Sequence, residues 1–260
     1  ATCASEAAAG IVISASHNPY YDNGIKIFNG DGCKLSDTTE MEIEKMILAE
    51  NQPINAPDPF KLGVVRRYRR AASEYVDFLK KTVADGNDFN GIKIVLDCSN
   101  GATYRVAPEL FTMLGAQVQA LAVQPDGINI NDQCGSQHPQ ELSRTVVESG
   151  ADIGLASDAD VYRLIVVDET GAVLSGDHIL AVCARDLKQK GRLKNNRVVS
   201  TVMSNMGFSV ALKKMQIDHE VTRVGDRYVM ERMRSSGAVL GGEDSGHMIF
   251  SDHHTTGDGM

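Results

Sequence analysis

The feature that most constrains the fold is a repeated alternation of short apolar strands and amphipathic helices. Between residues 92 and 167, and again between 171 and 251, β-branched runs end in turns rich in Gly, Asn, Asp or Ser, and helical patterns separate the runs. This alternation predicts an α/β fold of consecutive domains, with mixed, mostly parallel sheets between helices. Ligands bind such sheets beyond the carboxyl ends of the strands, so the turns are where chemistry is expected.

The elements predicted after residue 70 follow this rhythm. Helices are predicted over 72–84, 101–114, 139–149, 177–190, 207–215 and 225–235. Strands are predicted over 92–97, 117–123, 153–156, 164–167, 197–202, 219–224, 238–241 and 248–251.

The first 60 residues predict a smaller unit. Two apolar runs, 11–13 and 25–28, predict strands, the first of them buried. A capping-box pattern from Asp37 to Glu40 predicts the start of a helix that extends to about residue 50. Three prolines within 51–60 cannot continue that helix, so this stretch is interpreted as a link.

That link and the later rhythm predict three domains, over 1–62, 63–170 and 171–260.

Composition excludes several classes of function. Of the 260 residues 42% are apolar, but no run of 18 apolar residues predicts a membrane span. The net charge of −8 argues against nucleic-acid binding. Five cysteines without a CxxC pair argue against a zinc site and favour a reducing compartment. With no basic, apolar leader at the start, these features predict a cytoplasmic protein.

The most reactive stretch is the turn after the first predicted strand. It presents Ser16 and His17 just before Asn18-Pro19, and Lys26 lies on the next predicted strand. A hydroxyl, an imidazole and an amine can therefore meet at one rim. The alternative is an ordinary polar turn, because Ser, His and Asn are common in turns.

Two later turns carry further candidates. Asp158 and Asp160 lie two residues apart on an extended segment, which places two carboxylates side by side for Mg²⁺; solvated loop aspartates are the alternative. Glu243, Ser245 and His247 combine hydrogen-bond acceptors with an acid/base group. There the alternative is a polar β-turn with Gly246 at positive φ.

Together these stretches resemble the α-D-phosphohexomutase family along essentially the whole chain, and its glucosamine branch most closely. The matching segments are, in chain order, 13–19, 20–26, 158–163, 202–207, 224–229, 242–247 and 255–259.

The resemblance implies an isomerase that works by phosphoryl transfer. Ser16 would carry a phosphoryl group, and glucosamine 6-phosphate and glucosamine 1-phosphate would interconvert through a bisphosphate. Lys26 and His17 would move the proton of the sugar hydroxyl, and Arg163 would neutralise phosphoryl charge. His247 would lie close to the exchange centre.

The resemblance also implies ligands and partners. Glu243 and Ser245 would bind the sugar hydroxyls, and one Mg²⁺ would bind Ser16, Asp158 and Asp160. A hexosamine 1,6-bisphosphate would serve as activator. The expected partner is a small-molecule hexosamine phosphate, with no nucleic acid and no membrane, and a homodimer is left open.

Two departures from the family pattern change these expectations. The third aspartate of the family's metal loop is replaced by Tyr162, and a neutral phenol is a poor Mg²⁺ ligand, so weaker metal binding is predicted. The start of the first family domain and all of the fourth are missing. The chain is therefore expected to be an internal fragment with little or no turnover.

Two alternatives stay open. Mannose or glucose phosphates are rival substrates within the same enzyme class. A non-catalytic relative that binds sugar phosphate is the alternative from another class, and Tyr162 favours it.

Overall fold

The computed structural model describes residue 2 and residues 5–49, 58–83 and 88–260. Most of the link predicted over 51–60 lies outside these residues. No helix within the described ranges is long and apolar enough to cross a bilayer.

The first segment is a two-stranded antiparallel sheet followed by a helix. Strands β1 (Ala9–Ser14) and β2 (Gly24–Asn29) pair with Ile11 opposite Ile27. Helix α1 spans Asp37–Leu48. Both predicted strands and the helix are therefore present.

The prediction that the first strand is buried is wrong for this chain. Ile11 and Ile13 of β1 are 68% and 74% exposed, and Ile25 of β2 is 69% exposed. The apolar run indicates that these residues form a strand, but it does not show that other elements cover the strand. Two strands alone cannot bury both of their faces, so these side chains remain exposed.

The start of α1 is displaced by one residue from the predicted capping box. Ser36 is the N-cap, and its Oγ accepts a hydrogen bond from the backbone N–H of Thr39 at 3.3 Å. Asp37 and Glu40 lie in the first turn, where their charges are favourable to the helix dipole.

The second segment is a five-stranded sheet with helices packed against it. Its elements are α2 (Ala71–Thr82), β3 (Lys93–Asp97), α3 (Val106–Met113), β4 (Gln117–Leu121), α4 (Gln140–Ser149), β5 (Ile153–Ser157), β6 (Leu164–Asp168) and β7 (Val173–Leu174). The strand order is β4-β3-β5-β6-β7, with the first three strands parallel and the last two antiparallel. Only β7 was not predicted, because two residues are too few to show a period.

Close packing of α4 on β5 fixes the position of the loop that follows β5. Leu142 and Val146 of α4 are fully buried, as is Ala156 of β5. Gly154 makes this approach possible, because a Cβ there would lie 2.6 Å from a methyl carbon of Val146.

The third segment repeats the arrangement with four strands. Its elements are α5 (Gly176–Gln189), β8 (Arg197–Thr201), α6 (Met206–Lys214), β9 (Asp218–Thr222), α7 (Asp226–Ser236), β10 (Leu240–Gly242) and β11 (Met248–Phe250). The order is β11-β10-β8-β9, with β11 antiparallel to the other three strands. Consecutive α/β units with mixed sheets agree with the sequence prediction.

The burial of individual cysteines in these segments predicts how fast each thiol reacts with an alkylating reagent. Burial raises the pKa of the Cys98 and Cys183 thiols to about 11 and that of Cys134 to about 12. Because the thiolate is the nucleophile, iodoacetamide at pH 8 is expected to alkylate them at least about 100-fold more slowly than the half-buried Cys33. Peptide mapping by mass spectrometry measures the four rates. Similar rates in denaturant are the control, and similar rates in the native chain would contradict the packing.

Candidate functional site

Ser16 lies in the turn that follows β1 and has an unusual backbone. Its φ is +53°, a conformation that is uncommon outside glycine and that concentrates at functional sites. Its backbone N–H donates to Ser14 Oγ at 2.8 Å, and the N–H of Asn18 donates to the carbonyl of Ala15 at 2.9 Å. These bonds hold the turn in this strained shape, with Ala15 buried.

The loop after β5 places two carboxylates beside this turn. Asp158 is fully buried; its Oδ1 accepts from the backbone N–H of Arg163 at 3.0 Å, and its Oδ2 lies 3.4 Å from Ser16 Oγ. Asp160 Oδ2 accepts from Ser14 Oγ at 2.7 Å and from Lys26 Nζ at 2.6 Å. The predicted Ser16, Lys26, Asp158 and Asp160 are thus brought together.

The pKa values of the two carboxyl groups shift in opposite directions. Burial raises the pKa of Asp158 above its usual value. Burial acts in the same direction on Asp160, but hydrogen bonds from Lys26 and Ser14 outweigh it and lower the pKa of Asp160. Asp160 is therefore the firmly charged member of the pair.

Hydrogen bonds to two of its carbonyl groups hold the Ser16 turn on the second segment. The carbonyl of Ser16 accepts from the N–H of Ala159 at 3.2 Å and from Asn131 Nδ2 at 2.9 Å. Asn131 Nδ2 also donates to the carbonyl of Asn18 at 2.7 Å. Sequence reasoning missed Asn131 and Ser14. The signal for Asn131 was the Asn- and Gly-rich composition of residues 125–135, and that for Ser14 was its place in the 13–19 segment.

The 242–247 loop approaches the same centre from the third segment. Glu243 is buried; its Oε2 lies 2.7 Å from His247 Nδ1, and its Oε1 accepts from the N–H of Gly225 at 3.0 Å. Burial alone would raise the pKa of Glu243, but the His247 hydrogen bond and charge outweigh it, and the pKa is lowered. Ser245 is exposed, with its Oγ 3.3 Å from His247 Nδ1.

The 158–163 and 242–247 loops are joined by backbone pairing. Arg163 and His247 form an antiparallel bridge, and the N–H of Leu164 donates to the carbonyl of Gly246 at 3.0 Å. A Cβ at Gly246 would lie 2.4 Å from the carbonyl oxygen of Leu164, and φ there is +97°. Gly246 thus has the positive φ expected for the alternative interpretation of this stretch as a β-turn, and glycine is required by both the angle and the space.

Cationic and imidazole groups surround the Ser16 turn. Burial, then the charges of Arg163 and His247, lower the pKa of His17, so its imidazole is neutral near pH 7. Within the described ranges, the buried His17 Nδ1 and Arg163 Nε have no hydrogen-bond partner. Unpaired buried polar atoms are costly, so these two atoms require a hydrogen-bond partner that the described residues do not supply.

Tyr162 occupies the third alternate position of the 158–163 loop. It is buried, its ring packs edge-on against His247 with centroids 6.1 Å apart, and Lys26 Nζ lies 3.9 Å from its ring centroid. Burial raises the pKa of the phenol to about 12, so it is neutral at pH 7.

This donor set does not fit a strong divalent-metal site. Two of the four carboxylate oxygens of Asp158 and Asp160 lack a close hydrogen-bond partner. Asp158 Oδ2 lies 3.4 Å from Ser16 Oγ, and Asp160 Oδ1 is buried and unpaired among the described residues. Across those same residues, no three His, Cys, Asp or Glu side chains are grouped closely enough to hold a metal ion. Mg²⁺ requires six oxygen ligands and would have to draw most of them from water or substrate.

Family models match the chain along most of its length. Three models of phosphoglucomutase/phosphomannomutase alpha/beta/alpha domains match in order: domain I over residues 1–53, domain II over 73–171 and domain III over 175–260. The chain belongs to the phosphoglucomutase/phosphomannomutase family. The resemblance predicted from the sequence is therefore confirmed, and so is the fold class.

Within this family, the chain is similar to proteins named phosphoglucosamine mutase. The phosphoglucosamine mutase of Syntrophus aciditrophicus (strain SB) is 55% identical over 259 residues, which cover 100% of this chain and 58% of that protein. The phosphoglucosamine mutase of Thermoanaerobacter sp. (strain X514) is 54% identical over 256 residues, 98% of this chain and 56% of that protein. The chain thus spans less than two thirds of the length of these relatives.

Solved structures of the family share the fold at low sequence identity. A phosphoglucomutase/phosphomannomutase family protein from Burkholderia thailandensis gives a TM-score of 0.79 at 24% identity and covers 97% of this chain and 53% of that one. The Aspergillus fumigatus N-acetylphosphoglucosamine mutase, solved with GlcNAc-6P and magnesium, gives 0.69 at 20% identity, with 92% and 60% covered. These similarities establish the fold alone.

Proposed function

We propose that the full-length protein containing this chain is a phosphoglucosamine mutase, which interconverts glucosamine 6-phosphate and glucosamine 1-phosphate for amino-sugar nucleotide and cell-wall precursor synthesis. The observation that carries the proposal is the convergence of the Ser16 turn with the 158–163 and 242–247 loops, one from each segment. Relatives 51–55% identical along nearly all of this chain carry that name.

In the proposed step, Ser16 carries the phosphoryl group. The bond from phosphorus to Ser16 Oγ breaks while a bond from phosphorus to a hydroxyl oxygen of the sugar phosphate forms, which gives a bisphosphate. The hydroxyl proton passes to a base, for which neutral His17 is available, and the Ser16 oxygen takes up a proton as its bond to phosphorus breaks, so that the serine hydroxyl is restored. The bisphosphate then returns its other phosphoryl group to Ser16. A hexosamine 1,6-bisphosphate would load an unphosphorylated Ser16, which is its role as activator.

Such transfer depends mainly on position and charge. Arg163 and Lys26 supply positive charge beside Ser16, and Lys26 is fixed by its 2.6 Å bond to Asp160. Glu243 and Ser245 would accept and donate hydrogen bonds to the ring hydroxyls, and His247 links them to the centre. Magnesium, which the family implies, would face Ser16, Asp158 and Asp160. This donor set is one carboxylate short of the family's metal loop.

The proposal includes the division into units at 1–62, 63–170 and 171–260, which the matched family segments support. It also includes a cytoplasmic location, which the four free cysteines of the described ranges support. Whether the protein forms a homodimer is left open. A non-catalytic sugar-phosphate binder is the second candidate, because Tyr162 fills the place of a carboxylate.

The deciding experiment is the intact mass of the purified chain after incubation with a hexosamine 1,6-bisphosphate. We expect a gain of one phosphoryl group, located on Ser16 by peptide mapping and abolished by Ser16→Ala. Ser36→Ala is the matched control, because it removes a serine of the same segment that caps α1 and should load normally. No phosphate on Ser16 would favour the non-catalytic binder. Rates of the full-length protein on glucosamine, glucose and mannose phosphates would then establish the substrate.

A further inference from the structure

The buried carboxylates of the 158–163 loop require a positive charge close by. Asp158 is 0% exposed, and the side chain of Asp160 is 9% exposed. Two adjacent carboxylates in a poorly hydrated site destabilise each other unless a positive charge lies close by. A bound divalent cation is one way to supply that charge, and a side-chain cation is another.

This chain supplies a side-chain cation. Lys26 Nζ lies 2.6 Å from Asp160 Oδ2, on the oxygen that also accepts from Ser14 Oγ at 2.7 Å. The ammonium therefore sits directly against the carboxylate pair. It is placed there by β2, whose pairing with β1 also positions the Ser16 turn.

Tyr162 gives this ammonium a second partner. The ring centroid lies 3.9 Å from Lys26 Nζ, within the range in which an aromatic face attracts a cation. A neutral phenol ring adds no negative charge to the loop, whereas an aspartate at this position would add a third carboxylate. The residue that departs from the metal-loop pattern is therefore the residue that accommodates the lysine.

We propose that Lys26 is the resident cation of the 158–163 loop. Its ammonium, held between Asp160 and the ring of Tyr162, supplies the positive charge beside Ser16 and keeps the loop's affinity for divalent cations low. The inference deepens the proposed function and rests on it for the phosphoryl group that Lys26 faces. It assigns the proton transfer to His17 and leaves Lys26 charged throughout.

Lys34 provides a matched control for this role. Its Nζ lies 2.7 Å from Asp226 Oδ2, and its side chain is 25% exposed, against 24% for Lys26. Its ammonium lies 5.3 Å from the Tyr162 ring centroid. It differs in its carboxylate, which belongs to α7 and not to the 158–163 loop.

The test is a titration of the chain with Mn²⁺, followed by the EPR signal of the free ion. We expect the unchanged chain to bind with a Kd in the millimolar range and Lys26→Met to bind at least about tenfold more tightly, because a repelling charge is removed. Tyr162→Asp should also tighten binding about tenfold by adding an oxygen ligand. Lys26→Arg, which keeps the charge, and Lys34→Met should bind as weakly as the unchanged chain.

Two results would overturn the inference. One is micromolar binding of Mn²⁺ at this loop by the unchanged chain, with the site identified by its loss in Asp158→Asn. The other is an unchanged Kd in Lys26→Met, with circular dichroism showing a preserved fold. Loading of Ser16 by a hexosamine 1,6-bisphosphate in excess EDTA separates this inference from the proposed function. Loading in EDTA supports both. Loading that requires added Mg²⁺ contradicts the inference alone, and failure to load with or without Mg²⁺ contradicts the proposed function alone.

Discussion

Gly101→Ala is expected to lower the free energy of unfolding by about 3 kcal/mol and the rate of Ser16 loading by at least about 100-fold. An ideal Cβ on Gly101 would lie 2.5 Å from the Cα and 2.6 Å from the carbonyl oxygen of Ala159. Both atoms are backbone, so the 158–163 loop has to move. That loop also contacts the Ser16 carbonyl through the N–H of Ala159, so a shift would disturb the Ser16 turn.

Urea denaturation and intact-mass kinetics measure the two effects. Gly63→Ala is the control, because a Cβ at Gly63 would meet no atom within 4 Å. Neither glycine has a positive φ, so alanine is acceptable to the backbone at both and the contrast isolates the clash. Equal stability and equal loading in the two variants would show that the contact between Gly101 and Ala159 is not tight in solution.

Asp97→Ala is expected to cost about 3 kcal/mol in the free energy of unfolding, since two buried N–H donors lose their acceptor. Asp97 is 2% exposed; its Oδ1 accepts from the N–H of Ser99 at 2.9 Å and its Oδ2 from that of Gly135 at 2.7 Å. Burial raises the pKa of Asp97, and these two bonds oppose that effect. The carboxylate thus ties the turn after β3 to the loop that carries Asn131.

Two further variants make the prediction for Asp97 specific. Asp97→Asn keeps one acceptor oxygen and should lose about half as much stability. Asp168→Ala is the matched control, because Asp168 also accepts from two backbone N–H groups, those of Thr170 and Ala172, but these hydrogen bonds are exposed to water. Water can replace an exposed carboxylate, so its loss should be clearly smaller. Equal losses for Asp97→Ala and Asp168→Ala in urea denaturation would refute the argument from burial.

Sequence patterns were sufficient to predict the elements and the position of the turns that hold the candidate residues. The apolar run of β5 followed by Asp158 and Asp160 marks a strand end, and the structure places both carboxylates beside Ser16. Glu243 and His247 follow β10 in the same way and form a pair. The position of these side chains could be predicted because the carboxyl ends of parallel strands share one edge of a sheet.

Contacts between distant residues could not be predicted in this way. Asn131 and Ser16 are 115 positions apart, and no local pattern indicates that the Asn131 amide holds the Ser16 carbonyl. The ion pair of Lys26 with Asp160 and its position over Tyr162 depend on how two segments meet. The exposure of Ile11 also follows from what covers the sheet, whereas its apolar character indicates only that it lies in a strand.

Charged contacts join the first segment to the other two. The pairs are Lys26 with Asp160, Lys34 with Asp226, and Arg227 with Asp37 and Glu40. Dissolved salt weakens such pairs, most strongly where they are open to solvent, as on α1, and least for the enclosed pair at Asp160. Ionic strength therefore acts on the tightness of this junction before it affects the apolar cores. The concentration of salt therefore affects how firmly the segment that carries Ser16 is docked.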